Sequence, residues 1–177
     1  LGTLKRKLER ACAEAARTLN KRVELEVEGG DTEMDRSLIR HLEGPLMHLV
    51  RNAVDHGIEP DTRRRAAGKA ERGRIRVRFV EHADSLEVEI VDDGGGVDVA
   101  AVERRARARG LLTPDEVVTD ERRLIRMICA PGFSTREAIT ELSGRGVGMD
   151  VVCREVERAG GVLEIESRTG VGTSVSI

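Results

Sequence analysis

Five segments of the chain alternate apolar and charged residues, and this pattern predicts β-strands. They read RVELEVEGG, RIRVRFVEH, SLEVEIVDD, GVLEIESRTG and VGTSVSI. Short connections between the second and third segments, and between the fourth and fifth, predict two hairpins. Since each strand has one apolar and one charged face, we expect a mixed or largely antiparallel sheet with helices on one face and water on the other. The predicted fold class is an α/β two-layer sandwich, with arginines of residues 74–78 paired to glutamates on neighbouring strands.

Apolar residues at three- and four-residue spacing predict helices. The clearest of them cover residues 3–20, 98–110, 120–130 and 151–159. A further helical pattern begins at residue 32 and is interrupted at Gly44-Pro45. Because proline is tolerated in the first turn of a helix, we expect a new helix to start there and to run to about Gly57.

The length of 177 residues suits one domain with a single hydrophobic core. We assign residues 1–20 to an N-terminal linker helix and residues 21–177 to the domain. Hydrophobic residues make up 39% of the chain and charged residues 35%, which is typical of a globular protein and not of a disordered tail. The chain opens on a charged segment without a signal-peptide core, and we expect an excerpt of a longer cytoplasmic protein.

The net charge and the low aromatic content argue against some classes of binding partner. A net charge of -2, with two Phe and no Tyr or Trp, argues against nucleic acid and against an acidic membrane surface. No run is apolar enough to insert into a bilayer. The run Arg63, Arg64, Arg65 is expected to form a solvated helix face. Three scattered cysteines without zinc-ligand spacing argue against a disulfide framework and favour a reducing compartment.

The helix predicted around GPLMHLVRNAVDHGIE has a polar arc beside its apolar stripe. His48, Asn52, Asp55 and His56 share this arc. An asparagine amide oxygen suits Mg²⁺ when phosphates complete the coordination shell. His48, one turn before Asn52, could polarise or deprotonate a reacting group. The alternative is a polar helix edge near a C-terminal cap, and this segment taken alone favours that alternative.

Two acids and three glycines follow the third predicted strand. Asp92 keeps the inward parity of the apolar residues in its strand, so we expect it to face the core and Asp93 to face outward. A buried carboxylate needs a donor, and an exocyclic amino group such as adenine N6 fits this need. Glycines would let a flat ring approach the backbone. A plain Asp-Gly turn is an equally supported alternative.

The second glycine-rich segment, GRGVGMDVV, leads into a predicted helix. Its glycines, Gly144, Gly146 and Gly148, could aim N–H groups at an anion, although the spacing matches neither the dinucleotide fingerprint nor the phosphate loop. A flexible linker is the alternative. Residues 97–143 separate the two glycine segments, include APGFSTRE, and could form a movable cover over a pocket. For Phe133 the alternative is ordinary anchoring of this segment on the core.

Taken together, HLVRNAVDHGIE, DDGGG, APGFSTRE, SGRGVGMDVV and a late Gly-Thr carry a resemblance. The chain resembles the ATP-binding module of histidine kinases, within the wider GHKL ATPases, over about residues 21–177. More narrowly, it resembles CheA-type chemotaxis histidine kinases. The resemblance implies a Bergerat-type ATP-binding fold, ATP and Mg²⁺ as ligands, and an ATP lid over about residues 97–148.

The resemblance also implies roles for individual residues. Asn52 would bind the Mg²⁺ that bridges the phosphates, and His48 would act near the γ-phosphate, where ordinary sensor kinases usually carry Glu. Asp92 would accept a hydrogen bond from adenine N6, with Thr173 nearby. Further nucleotide contacts are implied for Asp55, His56, Gly94, Gly96, Gly144, Gly146, Val147, Gly148 and Met149.

A member of this family transfers the γ-phosphoryl group to a histidine on a separate phosphotransfer domain, of the same protein or of a dimer mate. Response regulators, a coupling protein and chemoreceptors would be reached through domains absent here. His41, His48, His56 and His82 fit site or surface roles better than the role of acceptor. Two rival functions remain: a GHKL ATPase used as a conformational switch, in which Glu at the His48 position activates water, and a non-catalytic nucleotide-binding module.

Overall fold

The computed structural model describes residues 2–29, 36–113, 115–133 and 148–177. Its α-helices are α1 Gly2–Thr18, α2 Arg36–Asn52, α3 Asp61–Ala66, α4 Val99–Ala108, α5 Glu121–Arg126 and α6 Met149–Arg158. A π-helical turn, Ala53–Gly57, continues α2, and a 3₁₀ turn, Met127–Cys129, continues α5. The strands are β1 Val23–Glu28, β2 Gly73–Glu81, β3 Leu86–Asp92, β4 Glu164–Arg168 and β5 Gly172–Ser176.

The strands form one mixed sheet in the order β1-β2-β3-β5-β4. Strands β1 and β2 are parallel, and the other neighbours are antiparallel. Both predicted hairpins, β2-β3 and β4-β5, are confirmed, as is the α/β sandwich class. On the solvated face Arg76 lies 3.5 Å from Glu26, and Arg78 lies 2.8 Å from Glu89, so the predicted cross-strand pairing is present. Both pairs are open to solvent, although Glu89 is half-buried, and each contributes at most about 1 kcal/mol.

The main hydrophobic core lies between the sheet and helices α1 and α2. Leu8 of α1, Leu46 of α2 and Val77 of β2 are all at 0% exposure. Burying such a side chain stabilises the fold by roughly 1.5–3 kcal/mol. Helix α1, assigned above to a linker, therefore shares the core of the domain through its apolar stripe.

Helix α2 runs through Pro45 without the interruption expected at Gly44-Pro45. That expectation is wrong. Leu42, Leu46 and Leu49 have helical spacing and are buried on one face, on both sides of the proline. Their burial favours one continuous helix and offsets the hydrogen bond that proline cannot donate. The start of this pattern, residues 32–35, lies outside the described residues.

A second, smaller core lies under the segment that follows β3, where a single core was expected. Its buried members are Val102, Ala106, Leu112, Leu124 and Phe133. Phe133 is 1% exposed, as the anchoring alternative predicted, but it anchors this cluster and not the main core. Helices α4 and α5 therefore pack as a unit of their own beside the sandwich.

The cysteines correct a further expectation. Cys129, in the 3₁₀ turn, and Cys153, in α6, are joined as a disulfide, while Cys12 is a buried free thiol. Spacing along the chain does not reveal this pair, because it depends on α6 packing against the 3₁₀ turn. The inference of a reducing compartment from the cysteines loses its basis. Within the described ranges, no helix has both the length and the apolar character needed to cross a membrane.

Candidate functional site

A cavity of about 360 Å³ opens between the end of α2, the inner face of the sheet, and the segment after β3. This volume falls in the range of small-molecule sites. The structure brings most of the predicted site residues to its wall, and they come from four separate parts of the chain. They are His48, Asn52, His56, Asp92, Gly96, Gly148, Met149 and Thr173.

Other predicted residues are placed differently. Asp55 does not line the cavity, and its carboxylate lies 3.6 Å from His56 Nε2. Gly94 is buried beside the cavity wall and does not line it. Gly144, Gly146 and Val147 lie outside the described residues, so their role stays a prediction.

Asp92 lines the cavity from the last position of β3. Its side chain faces inward, as its strand parity predicts, and only 7% of the residue is exposed. Burial raises the pKa of Asp92 to about 6. Hydrogen bonds from the backbone of Gly94 and Thr173 favour the ionised form and partly offset this rise. The Gly94 N–H donates to Asp92 Oδ1 over 2.9 Å. Asp92 is therefore a desolvated acceptor at the wall of an apolar pocket.

Packing inside the protein, and not the expected approach of a flat ligand ring, explains the glycine at position 94. A Cβ at this position would clash with the carbonyl oxygen of Gly57, and the N–H of Gly95 donates to that same oxygen over 2.9 Å. Close packing between the loop and the end of α2 explains this glycine. Gly96, by contrast, lines the cavity and has a φ of +72°, which favours glycine.

Three of the four residues of the predicted polar arc face the cavity, from α2 and the π-helical turn that continues it. His48, Asn52 and His56 follow each other at four-residue spacing, and all three line the wall. Burial lowers the pKa of His48, and the charges of Arg51 and His56 lower it further. The imidazole is therefore neutral at pH 7 and can accept a proton. The π-helical turn begins directly after Asn52, and such turns are frequent at functional sites.

Lys21 supports this end of the helix, and the residue pattern gave no sign of it. Its ammonium donates to the carbonyl oxygens of Val54 at 2.8 Å, Asp55 at 2.7 Å and Ile58 at 2.7 Å. The last carbonyls of a helix lack intrahelical partners and carry partial negative charge. A lysine that bonds two of them, together with the carbonyl of Ile58 directly after the turn, stabilises the turn that follows Asn52.

The buried position of Arg64 contradicts the expectation of a solvated arginine face. Arg63 and Arg65 are exposed, but Arg64 is at 0% exposure. Helix α3 lies against the loop after β3, so its one inward side chain meets Glu59 and Asp93. A run of identical residues contains no signal that would distinguish the inward one.

The chain matches a family of ATPases and is similar in sequence to two bacterial proteins. Residues 41–177 match the family model described as histidine kinase-, DNA gyrase B-, and HSP90-like ATPase. The chain is 45% identical over 168 residues to chemotaxis protein CheA of Klebsiella aerogenes, covering 95% of this chain and 26% of that protein. It is 44% identical over 170 residues to the gliding motility regulatory protein of Myxococcus xanthus, covering 95% of this chain and 22% of that one. The chain thus spans about a quarter of the length of these relatives.

A solved structure agrees on the fold. The Erythrobacter litoralis EL346 blue-light activated histidine kinase superposes with a TM-score of 0.54 at 16% identity, covering 96% of this chain and 39% of that one. At this identity the likeness concerns the fold alone. This likeness confirms the predicted fold class, while the family model and the sequence relatives confirm the resemblance predicted from the motifs.

Proposed function

Because the chain belongs to the histidine kinase-, DNA gyrase B- and HSP90-like ATPase family, we propose that its cavity binds ATP with Mg²⁺ for histidine phosphorylation. The chain would be the ATP-binding catalytic domain of a chemotaxis-type sensor histidine kinase. The single observation that carries this proposal is the buried carboxylate of Asp92 at the wall of the cavity. This desolvated carboxylate already accepts from the backbone of Gly94 and Thr173, and each carboxylate oxygen has a second lone pair with which it could accept from a ligand donor.

At the base end, Asp92 would accept a hydrogen bond from the adenine amino group. Thr173 pairs with Asp92 across the β3-β5 ladder, and both residues line the cavity. The Thr173 hydroxyl lies 3.2 Å from the hydroxyl of Ser167. The apolar side chains of Ile90, Val102 and Val175 line the same cavity and would cover the ring. This combination of apolar walls and a few placed polar groups is typical of a purine site.

At the phosphate end, Asn52 supplies an amide oxygen and α6 begins at the cavity wall with Gly148 and Met149. The N-terminus of a ten-residue helix favours negative charge, so it suits a phosphate. Among the described residues, no group of three or more His, Cys, Asp or Glu side chains is arranged to hold a metal ion. Mg²⁺ commonly binds through one or two protein oxygens together with phosphates, and Asn52 fits that donor set.

For the transfer itself, bound Mg²⁺ would neutralise charge on the phosphates. Asn52 would orient the metal-bound phosphates from the end of α2. His48, neutral because its pKa is lowered, would accept a hydrogen bond or a proton near the γ-phosphate. Asp92 would fix the base, so that the triphosphate extends toward Asn52 and His48.

The partners also belong to this proposal. The phosphoryl acceptor would be a histidine on a phosphotransfer domain of the same protein or of a dimer mate. Response regulators, a coupling protein and chemoreceptors would act through other domains. We propose a cytoplasmic location, where ATP is available, without bound nucleic acid and without direct membrane insertion.

The test follows the label of γ-labelled ATP in a mixture of this domain and the histidine-bearing phosphotransfer domain. We expect acid-labile label on that domain, dependent on Mg²⁺, and little release as free phosphate. If the labelled phosphate is instead released by hydrolysis at the same rate with and without the phosphotransfer domain, the result would support an ATPase used as a conformational switch. If ATP binds but its γ-phosphoryl group is transferred neither to the histidine nor to water, the result would support a non-catalytic nucleotide module.

A further inference from the structure

Arg64 makes a network of hydrogen bonds behind the candidate site. Its Nε donates to the carbonyl of Ala70 over 2.7 Å, and its Nη2 donates to Asp93 Oδ2 over 2.9 Å. Its Nη1 donates to Glu59 Oε2 at 3.0 Å and to the carbonyl of Asp93 at 3.1 Å. A fully buried charge is costly unless it is paired and hydrogen-bonded, and these contacts meet that condition.

Lys69 reaches the same loop from the end of α3. Its ammonium donates to Glu59 Oε1 at 2.9 Å, to the carbonyl of Asp93 at 2.9 Å and to the carbonyl of Gly94 at 2.6 Å. Two cations therefore hold two successive carbonyls, and Glu59 bridges the cations. Neither Arg64 nor Lys69 lines the cavity.

The loop that they hold sets the direction of Asp92. Asp92 immediately precedes the held residues, and its Oδ1 accepts from the N–H of Gly94. Asp93 is also fixed from the other side, because the N–H of Arg74 donates to its Oδ1 over 2.9 Å. Loss of Lys69 would leave the carbonyl of Gly94 without its charge-assisted partner, and loss of Arg64 would leave the carboxylate of Asp93 without its guanidinium partner. Either loss would also remove one of the two cations that hold the carbonyl of Asp93. The loop would then relax, and the carboxylate of Asp92 would lose its fixed direction.

We propose that Arg64 and Lys69 are positioning residues for base specificity, which hold the loop after β3 so that Asp92 faces the amino group of adenine. This inference rests on the proposed function, since it takes the cavity to be an adenine nucleotide site. Both residues act through the loop and touch no ligand.

The experiment compares ATP with GTP, because a loss of base recognition alters their ratio of affinities. Dissociation constants for both nucleotides with Mg²⁺ are measured by calorimetry for wild type, Arg64→Met, Arg64→Lys, Lys69→Met and the matched control Arg65→Met. Arg65 lies on the same helix, is exposed, and has its nearest carboxylate at 3.5 Å on Glu71. The folded fraction of each variant is checked by circular dichroism at the temperature of the titration.

We expect Arg64→Met and Lys69→Met to lower the preference for ATP over GTP about tenfold, which corresponds to about 1.4 kcal/mol. Arg64→Lys keeps the charge with fewer donors, so its preference should lie between those of wild type and Arg64→Met. Arg65→Met should keep the wild-type ratio. If Arg64→Met does not fold, the ratio measured for Lys69→Met tests the inference. Lys69 lies at the edge of the network, with an 18% exposed side chain, so its replacement disturbs the fold less.

Equal losses for ATP and GTP in folded Lys69→Met, with the ratio unchanged, would overturn the inference and leave the nucleotide site intact. A wild-type protein without preference for ATP would overturn the adenine assignment itself, and this inference with it. The two failures are therefore distinguishable in one set of titrations.

Discussion

Replacing Asp92 by asparagine is expected to stabilise the ligand-free protein and to weaken ATP binding at the same time. Asp92 is 7% exposed, and burial is the main cause that raises its pKa from 3.8 to about 6. A pKa difference of this size corresponds to roughly 3 kcal/mol, which is the cost of ionising Asp92 in the folded protein. Asparagine carries no charge and avoids this cost. Its NH₂ group cannot accept the backbone hydrogen bonds, so roughly 3 kcal/mol is the upper limit of the gain.

The effect depends on pH with a definite sign. The unfolded chain releases the Asp92 proton near pH 3.8, and the folded chain releases it near pH 6. Between these values the folded state binds the extra proton, so the stability of the wild type falls as pH rises through this window. Well above pH 6 Asp92 is ionised in both states, so the full cost of its ionisation lowers the stability of the folded protein. The advantage of Asp92→Asn should therefore be largest near pH 8 and should vanish near pH 4.

ATP binding should change in the opposite direction. A hydrogen bond to a charged acceptor contributes about 1.5–3 kcal/mol, so we expect about a tenfold to hundredfold loss of ATP affinity. Urea denaturation at both pH values and calorimetry with ATP measure the two effects. Asp84→Asn, at an exposed position in the turn before β3, is the matched control and should change neither. A less stable Asp92→Asn near pH 8, or wild-type ATP affinity in this variant, would refute the reasoning.

Three further changes test other parts of the site. Asn52→Asp adds a negative charge beside the phosphates, and should reduce Mg²⁺-dependent phosphotransfer more than nucleotide binding; a normal transfer rate would remove Asn52 from the metal site. Gly146→Val should weaken triphosphate binding selectively in titrations with ATP and adenosine, and equal losses for both ligands would contradict the phosphate-loop role. Gly94→Ala should cost about 1–3 kcal/mol of stability in urea, because its Cβ would clash with the carbonyl of Gly57. Gly95→Ala is the control, since its Cβ would lie 3.4 Å from the nearest atom, on Glu59; equal stability losses for the two variants would contradict the clash.

Strand periodicity was the most informative signal in the sequence. Apolar alternation in β2 and β3 predicted the hairpin, and the same parity predicted the inward direction of Asp92. Each of these features depends on residues near each other in the chain, so a local pattern suffices. Helical periodicity likewise placed His48 and Asn52 on one face of α2.

The features that could not be predicted depend on contacts between distant segments. Pro45 lies inside a helix because buried leucines on both sides outweigh its missing N–H. Arg64 differs from its two neighbours only because α3 rests on the loop after β3. The disulfide forms because α6 packs against the 3₁₀ turn, and Lys21, just before β1, reaches the end of the π-helical turn that continues α2. Local periodicity contains no information about such packing.

The central claim is that the cavity between α2, β3 and α6 holds the adenine of ATP at one end and its metal-bound phosphates at the other. A crystal structure with a non-hydrolysable ATP analogue and Mg²⁺ tests this claim most directly. The account predicts the adenine amino group within hydrogen-bond distance of Asp92, and Mg²⁺ bound by Asn52 and the phosphates. An empty cavity at saturating ligand, or a nucleotide bound elsewhere that makes no hydrogen bond to Asp92, would contradict the claim.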